Sequence, residues 1–124
     1  MLTVYGIRNC DTVQRALGRL AEAGILHRFH DFKMEGLSAT KAQAWIDALG
    51  ADTVINRKGS TWRRLDAAIQ DGVTAANAAA LLAREPSLVK RPVFEREGRA
   101  LAVGFPKGGE EALIAKLLQG RTPG

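Results

Sequence analysis

The only cysteine of the 124-residue chain, Cys10, is the residue whose type and position most favour chemistry. It comes directly before Asp11, Thr12 and Val13, where the sequence pattern predicts the start of a helix. The unpaired amides of a helix N-terminus carry partial positive charge, so a thiolate should be stabilised there. Because the thiolate is the species that attacks, Cys10 is a candidate nucleophile. A buried, inert cysteine is the alternative interpretation.

A second cysteine is missing from the spacing that a dithiol cycle needs. Val13 occupies the last place of a Cys-x-x-Cys motif beginning at Cys10, so no internal disulfide can form. Any redox cycle therefore needs an external thiol, such as glutathione or the cysteine of a partner protein. A lone thiol also fits a reducing compartment, and a cytoplasmic location is expected.

Arg57 and Arg91 are candidate anion ligands, because a guanidinium group matches carboxylates and tetrahedral oxyanions bidentately and stays charged. Pro92 restricts Arg91 to an extended backbone. An ordinary surface arginine is the alternative for each. His27 and His30 should point to opposite faces of a predicted strand, so the sequence supports no metal site, and no bound cofactor is expected.

The elements that must position these residues follow from the apolar pattern. A strand (Leu2–Tyr5), a helix ending near Gly24 and a strand (His27–Phe32) predict a βαβ unit with Cys10 at its first junction. The remaining pattern predicts, in order, a helix from Ser38 to Gly50, a surface loop over 56–64 with a helical turn near Trp62, a helix from Thr74 to about Arg84, a hairpin of Val93–Glu97 and Leu101–Phe105, a last helix bearing Leu113 to Leu118, and a polar tail over 119–124.

This order predicts an α/β fold of thioredoxin-like plan. The expected architecture is a mixed four-stranded sheet with helices on both faces and an inserted helical segment, forming a single domain over residues 1–124. No apolar run is long enough for a membrane span, and no export signal is visible. The net charge of +5 favours anionic partners. The basic residues are scattered and not interleaved with aromatics, so direct nucleic-acid binding is not expected.

Three ordered segments are more specific together than any one motif. They are Tyr5-Gly6-Ile7-Arg8-Asn9-Cys10-Asp11-Thr12, Asn56-Arg57-Lys58-Gly59-Ser60-Thr61-Trp62-Arg63 and Lys90-Arg91-Pro92. Over nearly the whole chain the sequence resembles the arsenate reductase (ArsC/Spx/YffB) family, most closely its YffB-type branch. The resemblance implies that Cys10 is the nucleophile, that Arg57 and Arg91 hold the oxyanion, and that the bond before Pro92 is cis.

The sequence also departs from the pattern of this family. The arsenate reductases carry a histidine shortly before the cysteine, where this chain has Gly6, and a third arginine near the end, where it has about Gly104. Both departures argue against arsenate as the natural substrate. The Spx-like regulators usually carry a Cys-x-x-Cys switch, which Val13 removes here.

The leading hypothesis is a glutathione-dependent thiol reductase whose Cys10 thiolate attacks a small oxyanion or a disulfide. Arg57 and Arg91 would neutralise charge, and the backbone amides of Asp11 and Thr12 would assist. The alternative is a non-enzymatic regulator that binds RNA polymerase through its basic surface. A third hypothesis, direct nucleic-acid binding, is suggested by charge alone and predicts a steep salt dependence.

Overall fold

The computed structural model describes residues 1–119, and its contacts divide the chain into two compact units. The first unit combines Met1–Asp31 with the described residues from Arg91 onward, and the second unit is Phe32–Lys90. The elements in chain order are β1 (Leu2–Gly6), α1 (Asp11–Glu22), β2 (His27–Asp31), α2 (Phe32–Glu35), α3 (Ala39–Leu49), α4 (Ala51–Val54), α5 (Ser60–Arg63), α6 (Ala67–Gly72), α7 (Ala78–Arg84), a 3₁₀ helix (Pro86–Leu88), β3 (Val93–Arg96), β4 (Arg99–Val103) and α8 (Glu110–Gln119). The prediction of a single domain over residues 1–124 stays a prediction.

The first unit contains a four-stranded sheet with the order β2-β1-β3-β4. Strands β1 and β2 are parallel, and β3 runs antiparallel to both β1 and β4. The turn between β3 and β4 consists of Glu97 and Gly98, both with positive φ (53° and 78°), as a two-residue hairpin turn requires. The fold-class prediction of a mixed, thioredoxin-like sheet is therefore confirmed, although β4 begins two residues before the predicted Leu101.

Helices α1 and α8 bury their apolar stripes against the sheet. Within β1, Leu2 and Val4 point to the same face, because side chains alternate along a strand. The buried cluster on this face consists of Leu2, Val4, Ala16, Leu20, Ile25, Phe94, Phe105, Ile114 and Leu117. This core fixes the start of α1 relative to the end of β1. None of the helices within residues 1–119 has the length and apolar content needed to cross a bilayer.

The second unit is helical, and α3 has the predicted ends. Ser38 Oγ accepts a hydrogen bond from the amide of Lys41 at 3.0 Å, and Gly50 ends the helix with a φ of +91°. Trp45 of α3 is fully buried.

Three further boundaries predicted from the sequence are wrong. The strand predicted to reach Phe32 ends at Asp31, because Phe32 begins α2. The helix predicted from Thr74 begins at Ala78, because Asn77 holds a turn by accepting from Thr74 N at 2.8 Å. The polar tail was predicted from Gln119, but α8 includes this residue, and residues 120–124 lie outside the described part.

Candidate active site

Cys10 is the residue immediately before α1, and it is partly exposed. Its backbone is extended (φ −94°, ψ 123°), and its carbonyl accepts the first helical hydrogen bond from Gln14 N at 3.0 Å. Its side chain forms no capping hydrogen bond with the described residues. The sulfur thus lies at the start of a 12-residue helix and is not sealed in the core. The predicted position of Cys10 at a helix start is confirmed.

The loop between β1 and α1 is anchored at both ends. Cys10 N donates to the carbonyl of Ile7 at 3.1 Å, and Gln14 Nε2 donates to the carbonyl of Arg8 at 3.0 Å. Arg8 N donates to Oδ2 of Asp31 at 3.0 Å, and Asp31 is buried. Asp31 is not among the candidate site residues predicted from the sequence. Its position at the end of a strand parallel to β1 was the available signal, because such ends lie at the same edge of a sheet.

Arg91 and Pro92 approach this loop from the neighbouring strand. Tyr5 of β1 lies opposite Val93 of β3, and one further step in this register places Pro92 beside Gly6. The Arg91–Pro92 peptide bond is cis, as the family resemblance implies. Among residues 1–119 no carboxylate forms an ion pair with the partly exposed Arg91. An uncompensated cation therefore lies at the sheet edge from which the Cys10 loop starts.

Asp11 and Thr12, the first two residues of α1, line a surface cavity of about 610 Å³. Gln14, Arg15 and Lys107 form the rest of its lining. The cavity lies beside the helix start that Cys10 precedes, and its volume is in the range of small-molecule sites. The first unit thus contains Cys10, Asp11, Thr12, Arg91 and Pro92 of the predicted site.

Arg57 lies in the second unit, in the loop before α5. Its Nη1 donates to Oδ1 of Asp52 at 2.7 Å, and its guanidinium carbon lies 5.2 Å from the centroid of the Trp62 ring. Trp62 is partly exposed, and its ring stacks on this cation. The helical turn predicted near Trp62 is confirmed as α5.

Among the titratable side chains, the carboxyl of Glu110 at the start of α8 has a lowered pKa. The largest cause is a hydrogen bond from its own backbone amide, and desolvation opposes it by raising the pKa. A hydrogen bond from Gly108 N, at 2.6 Å, and the charge of Arg15 at 3.3 Å lower the pKa further. Arg15 belongs to α1 and also donates to the carbonyl of Phe105. Within residues 1–119, no three His, Cys, Asp or Glu side chains gather as a metal site would require.

Comparisons with known proteins decide the family. The ArsC family model matches residues 5–113. This chain belongs to the ArsC family. The solved structure of a YffB protein is 38% identical with a TM-score of 0.85, over 94% of this chain and 99% of that one. An arsenate reductase related protein from Brucella melitensis is 41% identical with a TM-score of 0.75, covering 91% and 93%. An uncharacterized protein of Haemophilus influenzae is 38% identical over 115 residues, covering 93% of this chain and all of its own.

The two glycines that depart from the arsenate reductase pattern have structural reasons within this ArsC chain. A Cβ on Gly6 would lie 2.8 Å from Cγ2 of Val13, closer than real side chains approach. Gly104 has a φ of +82°, in the left-handed region, while its amide donates to the carbonyl of Pro92 at 2.7 Å. Val13, which replaces the second cysteine of a Cys-x-x-Cys motif, is fully buried. The local packing of this chain thus accommodates small or apolar residues at these three positions.

Proposed function

We propose that this protein is a glutathione-dependent thiol reductase that acts on mixed disulfides. Membership of the ArsC family and the likeness to arsenate reductase related structures support thiol reductase-like chemistry. The observation that carries the proposal is the partly exposed residue Cys10 at the start of α1. A thiolate there faces the unpaired amides of the first helical turn, which favour negative charge.

The reaction needs one protein thiol and one external thiol. The Cys10 thiolate attacks the glutathione sulfur of a mixed disulfide, so that a new Cys10–glutathione disulfide forms and the substrate leaves as a thiolate, which takes a proton from water. A second glutathione, as thiolate, attacks the glutathione sulfur of this adduct. Oxidised glutathione leaves, and the Cys10 thiolate is restored. The substrate is reduced by two electrons, and glutathione is oxidised by the same number.

The remaining predicted residues stabilise charge in this proposal. The amides of Asp11 and Thr12 face negative charge on the reacting sulfur, as helix N-termini do for anions. Arg91, whose backbone Pro92 restricts, neutralises the anionic substrate, and the family resemblance assigns the same role to Arg57. Because the cycle depends on reduced glutathione, the proposed location is the cytoplasm. Binding to RNA polymerase stays a prediction from charge and resemblance.

The test is a turnover assay with the mixed disulfide of glutathione and mercaptoethanol, coupled to glutathione reductase. Cys10→Ser should reduce the rate to background, and Arg91→Gln should lower kcat/KM by about 100-fold through the loss of charge stabilisation. Arg99→Gln, which removes the same charge from an exposed position on β4, is the matched control and should retain activity.

Two further measurements separate the substrate classes. Mass spectrometry should detect one glutathione on the wild-type chain after exposure to the mixed disulfide, and none on Cys10→Ser. Arsenate should not be reduced, because this chain has Gly6 and Gly104 where arsenate reductases carry side chains. Full disulfide turnover by Cys10→Ser would refute the proposal, whereas arsenate reduction that depends on Cys10 would move the substrate to the oxyanion class.

A further inference from the structure

The second unit contains a surface cavity of about 640 Å³ that is lined by residues of α3, α6 and α7. Its walls are mainly aliphatic, and Arg84 is the one charged residue among the lining residues that the structure describes. We propose that this cavity binds a free aliphatic carboxylate, with the hydrocarbon chain along the walls and the carboxylate beside Arg84. The lining includes none of the residues assigned to the reductase reaction, so the inference goes beyond the proposed function.

One face of α7 and its N-cap form the charged wall of the cavity. The lining residues on this face are Asn77, Ala80, Leu81 and Arg84, spaced by three and four positions as residues on one side of a helix are. Leu81 is buried, whereas Ala80 and Arg84 are exposed. Because helical side chains lean towards the N-terminus of their helix, Arg84 extends towards Ala80 and away from the last carbonyls of α7. A carboxylate beside Arg84 therefore avoids the negative end of this helix.

Helix α6 forms an aliphatic wall with Ala68, Ile69 and Gly72. Ile69 is 39% exposed, so a hydrocarbon chain in the cavity would remove apolar surface from water. A Cβ on Gly72 would have no neighbour within 4 Å among the described residues, so the wall leaves open space at this position. The missing side chain of Gly72 thus contributes to the room that a ligand would occupy.

Hydrogen bonds hold the connection between α6 and α7, so the cavity does not need a ligand to form. Asn77 Nδ2 donates to the carbonyl of Gly72 at 2.8 Å, and its Oδ1 accepts from Thr74 N at 2.8 Å. Gln70 of α6 donates from Nε2 to the carbonyl of Trp62 at 2.7 Å, which ties α6 to α5. Because the side-chain amide of Asn77 is engaged in this turn, Arg84 is the lining group best placed to fix the polar head of a ligand.

Arg84 supplies the charge complementarity that selects an anion. Within residues 1–119, its guanidinium forms no ion pair or hydrogen bond with another side chain. A guanidinium binds a carboxylate through two parallel hydrogen bonds, whereas a neutral ligand would leave it unused. The volume lies in the range of about 300–1,000 Å³ for small-molecule sites. Aliphatic walls with one cation match a ligand that has one negative charge and a hydrocarbon chain, and not a polyanion such as a nucleotide.

The test is a titration of the full-length wild-type protein, followed by the backbone amide signals of Ala39, Gly72 and Ala80, which line the cavity. The probes are acetate, hexanoate and octanoate below the concentrations at which micelles form, with octanol as the uncharged analogue. Binding should tighten about fourfold for each methylene added between hexanoate and octanoate, because the chain is buried. Equal affinity for acetate and octanoate would overturn the inference, since it would show attraction to the net positive charge alone.

Arg84→Gln tests the position of the carboxylate. This variant should bind octanoate about 5-fold more weakly, because an exposed ion pair is lost, and should bind octanol as the wild type does. Arg64→Gln makes the same change in net charge at an exposed position of the same unit that does not line the cavity, and it should bind octanoate normally. An equal loss of octanoate affinity in both variants would overturn the inference.

Gly72→Leu tests the position of the chain. The new side chain should fill part of the cavity and abolish octanoate binding, while urea denaturation should show a folded protein, because the Cβ meets no described atom within 4 Å. Gly18→Leu adds the same side chain at an open position of α1 and should bind octanoate normally. Wild-type affinity in Gly72→Leu would overturn the inference. Binding to phosphatidylglycerol vesicles without binding of monomeric octanoate would overturn it in favour of a membrane surface.

Discussion

The loop that carries Cys10 and the loop that carries Arg57 both present a side chain just before a helix, but they are held differently. The Cys10 loop is fixed by main-chain hydrogen bonds and by the buried carboxylate of Asp31, and it leads into a helix of 12 residues. The Arg57 loop leads into a helix of four residues and is fixed by polar side chains of Asn56 and Asp52 in addition to the main-chain hydrogen bond from Asn56 N to the carbonyl of Leu88.

This difference follows from the groups that are presented. A cysteine sulfur is one bond from its Cβ, so fixing the backbone nearly fixes the nucleophile. An arginine has a long side chain, and ordering it costs up to about 2 kcal/mol of rotamer freedom, so it needs side-chain partners such as Asp52 and Trp62. The Cys10 loop should therefore be sensitive to packing, and the Arg57 loop to the loss of polar contacts.

Gly6→Ala should give the largest effect, because it breaks the packing of the Cys10 loop. Its Cβ would lie 2.8 Å from Cγ2 of Val13, which is fully buried in the first turn of α1. Overpacking of this kind costs about 1–3 kcal/mol of unfolding free energy. Urea denaturation measures the loss.

Gly18→Ala is the matched control, because a Cβ at this exposed position of α1 has no neighbour within 4 Å among the described residues. It should stabilise the protein by about 0.5–1 kcal/mol through helix propensity. Val13→Ala removes the contacting methyl groups and should reduce the cost of Gly6→Ala in a double-mutant cycle. If Gly6→Ala alone has the unfolding free energy of the wild type, the start of α1 moves away from the new Cβ without a loss of stability, and the prediction is wrong.

Gly59→Ala should have a smaller effect on stability, because the atom it meets is the end of the Asn56 side chain. Its Cβ would lie 2.9 Å from Nδ2 of Asn56, and a φ of −85° accepts any residue. The gain of about 0.4–1 kcal/mol from a less flexible unfolded chain should offset most of the strain.

The control for this substitution is Gly72→Ala, which has no neighbour within 4 Å among the described residues. The readout is urea denaturation. A loss of stability in Gly59→Ala as large as that in Gly6→Ala would contradict the distinction between the two loops.

Much of the framework was predictable because it is encoded locally. The strand of Leu2–Gly6, the loop and the apolar stripe of α1 define the position of Cys10 through periodicity alone. Ser38 and Gly50 mark the ends of α3 because capping depends on a few neighbouring residues. The motifs that contain Arg57 and Arg91 also identified these two arginines as candidate site residues.

The remainder depends on short elements or on distant contacts. Helices α2 and α4 have four residues each, too few to show an apolar stripe. The role of Asp31 depends on the pairing of β1 with β2, and the pairing of the segment before Arg57 with the segment before Arg91 depends on the bridge between Ile55 and Val89. No local pattern marks contacts of this kind, because the residues concerned are far apart in the sequence.

Glu110→Gln should give the smallest effect and tests whether main-chain donors also dominate at the start of α8. The pKa of Glu110 is lowered below its ordinary value of 4.5, chiefly by its own backbone amide. A carboxyl whose pKa falls on folding stabilises the folded state when ionised, so this contribution is present above pH 4.5 and is lost as the pH falls through the lowered pKa. Urea midpoints of wild type and Glu110→Gln should thus differ slightly at neutral pH and converge in acid.

The Arg15→Gln background separates the two kinds of donor. The hydrogen bonds from the amides of Glu110 and Gly108 remain in that background, and they rank above the charge and side-chain hydrogen bond of Arg15 among the groups that lower this pKa. Most of the pH-dependent difference should therefore persist when Arg15 is replaced. Glu85→Gln, which removes an exposed carboxylate elsewhere, controls for net charge. If the pH-dependent difference in urea midpoint disappears completely in the Arg15→Gln background, the ionised Glu110 carboxylate is stabilised mainly by a side chain, as Arg57 is by Asp52.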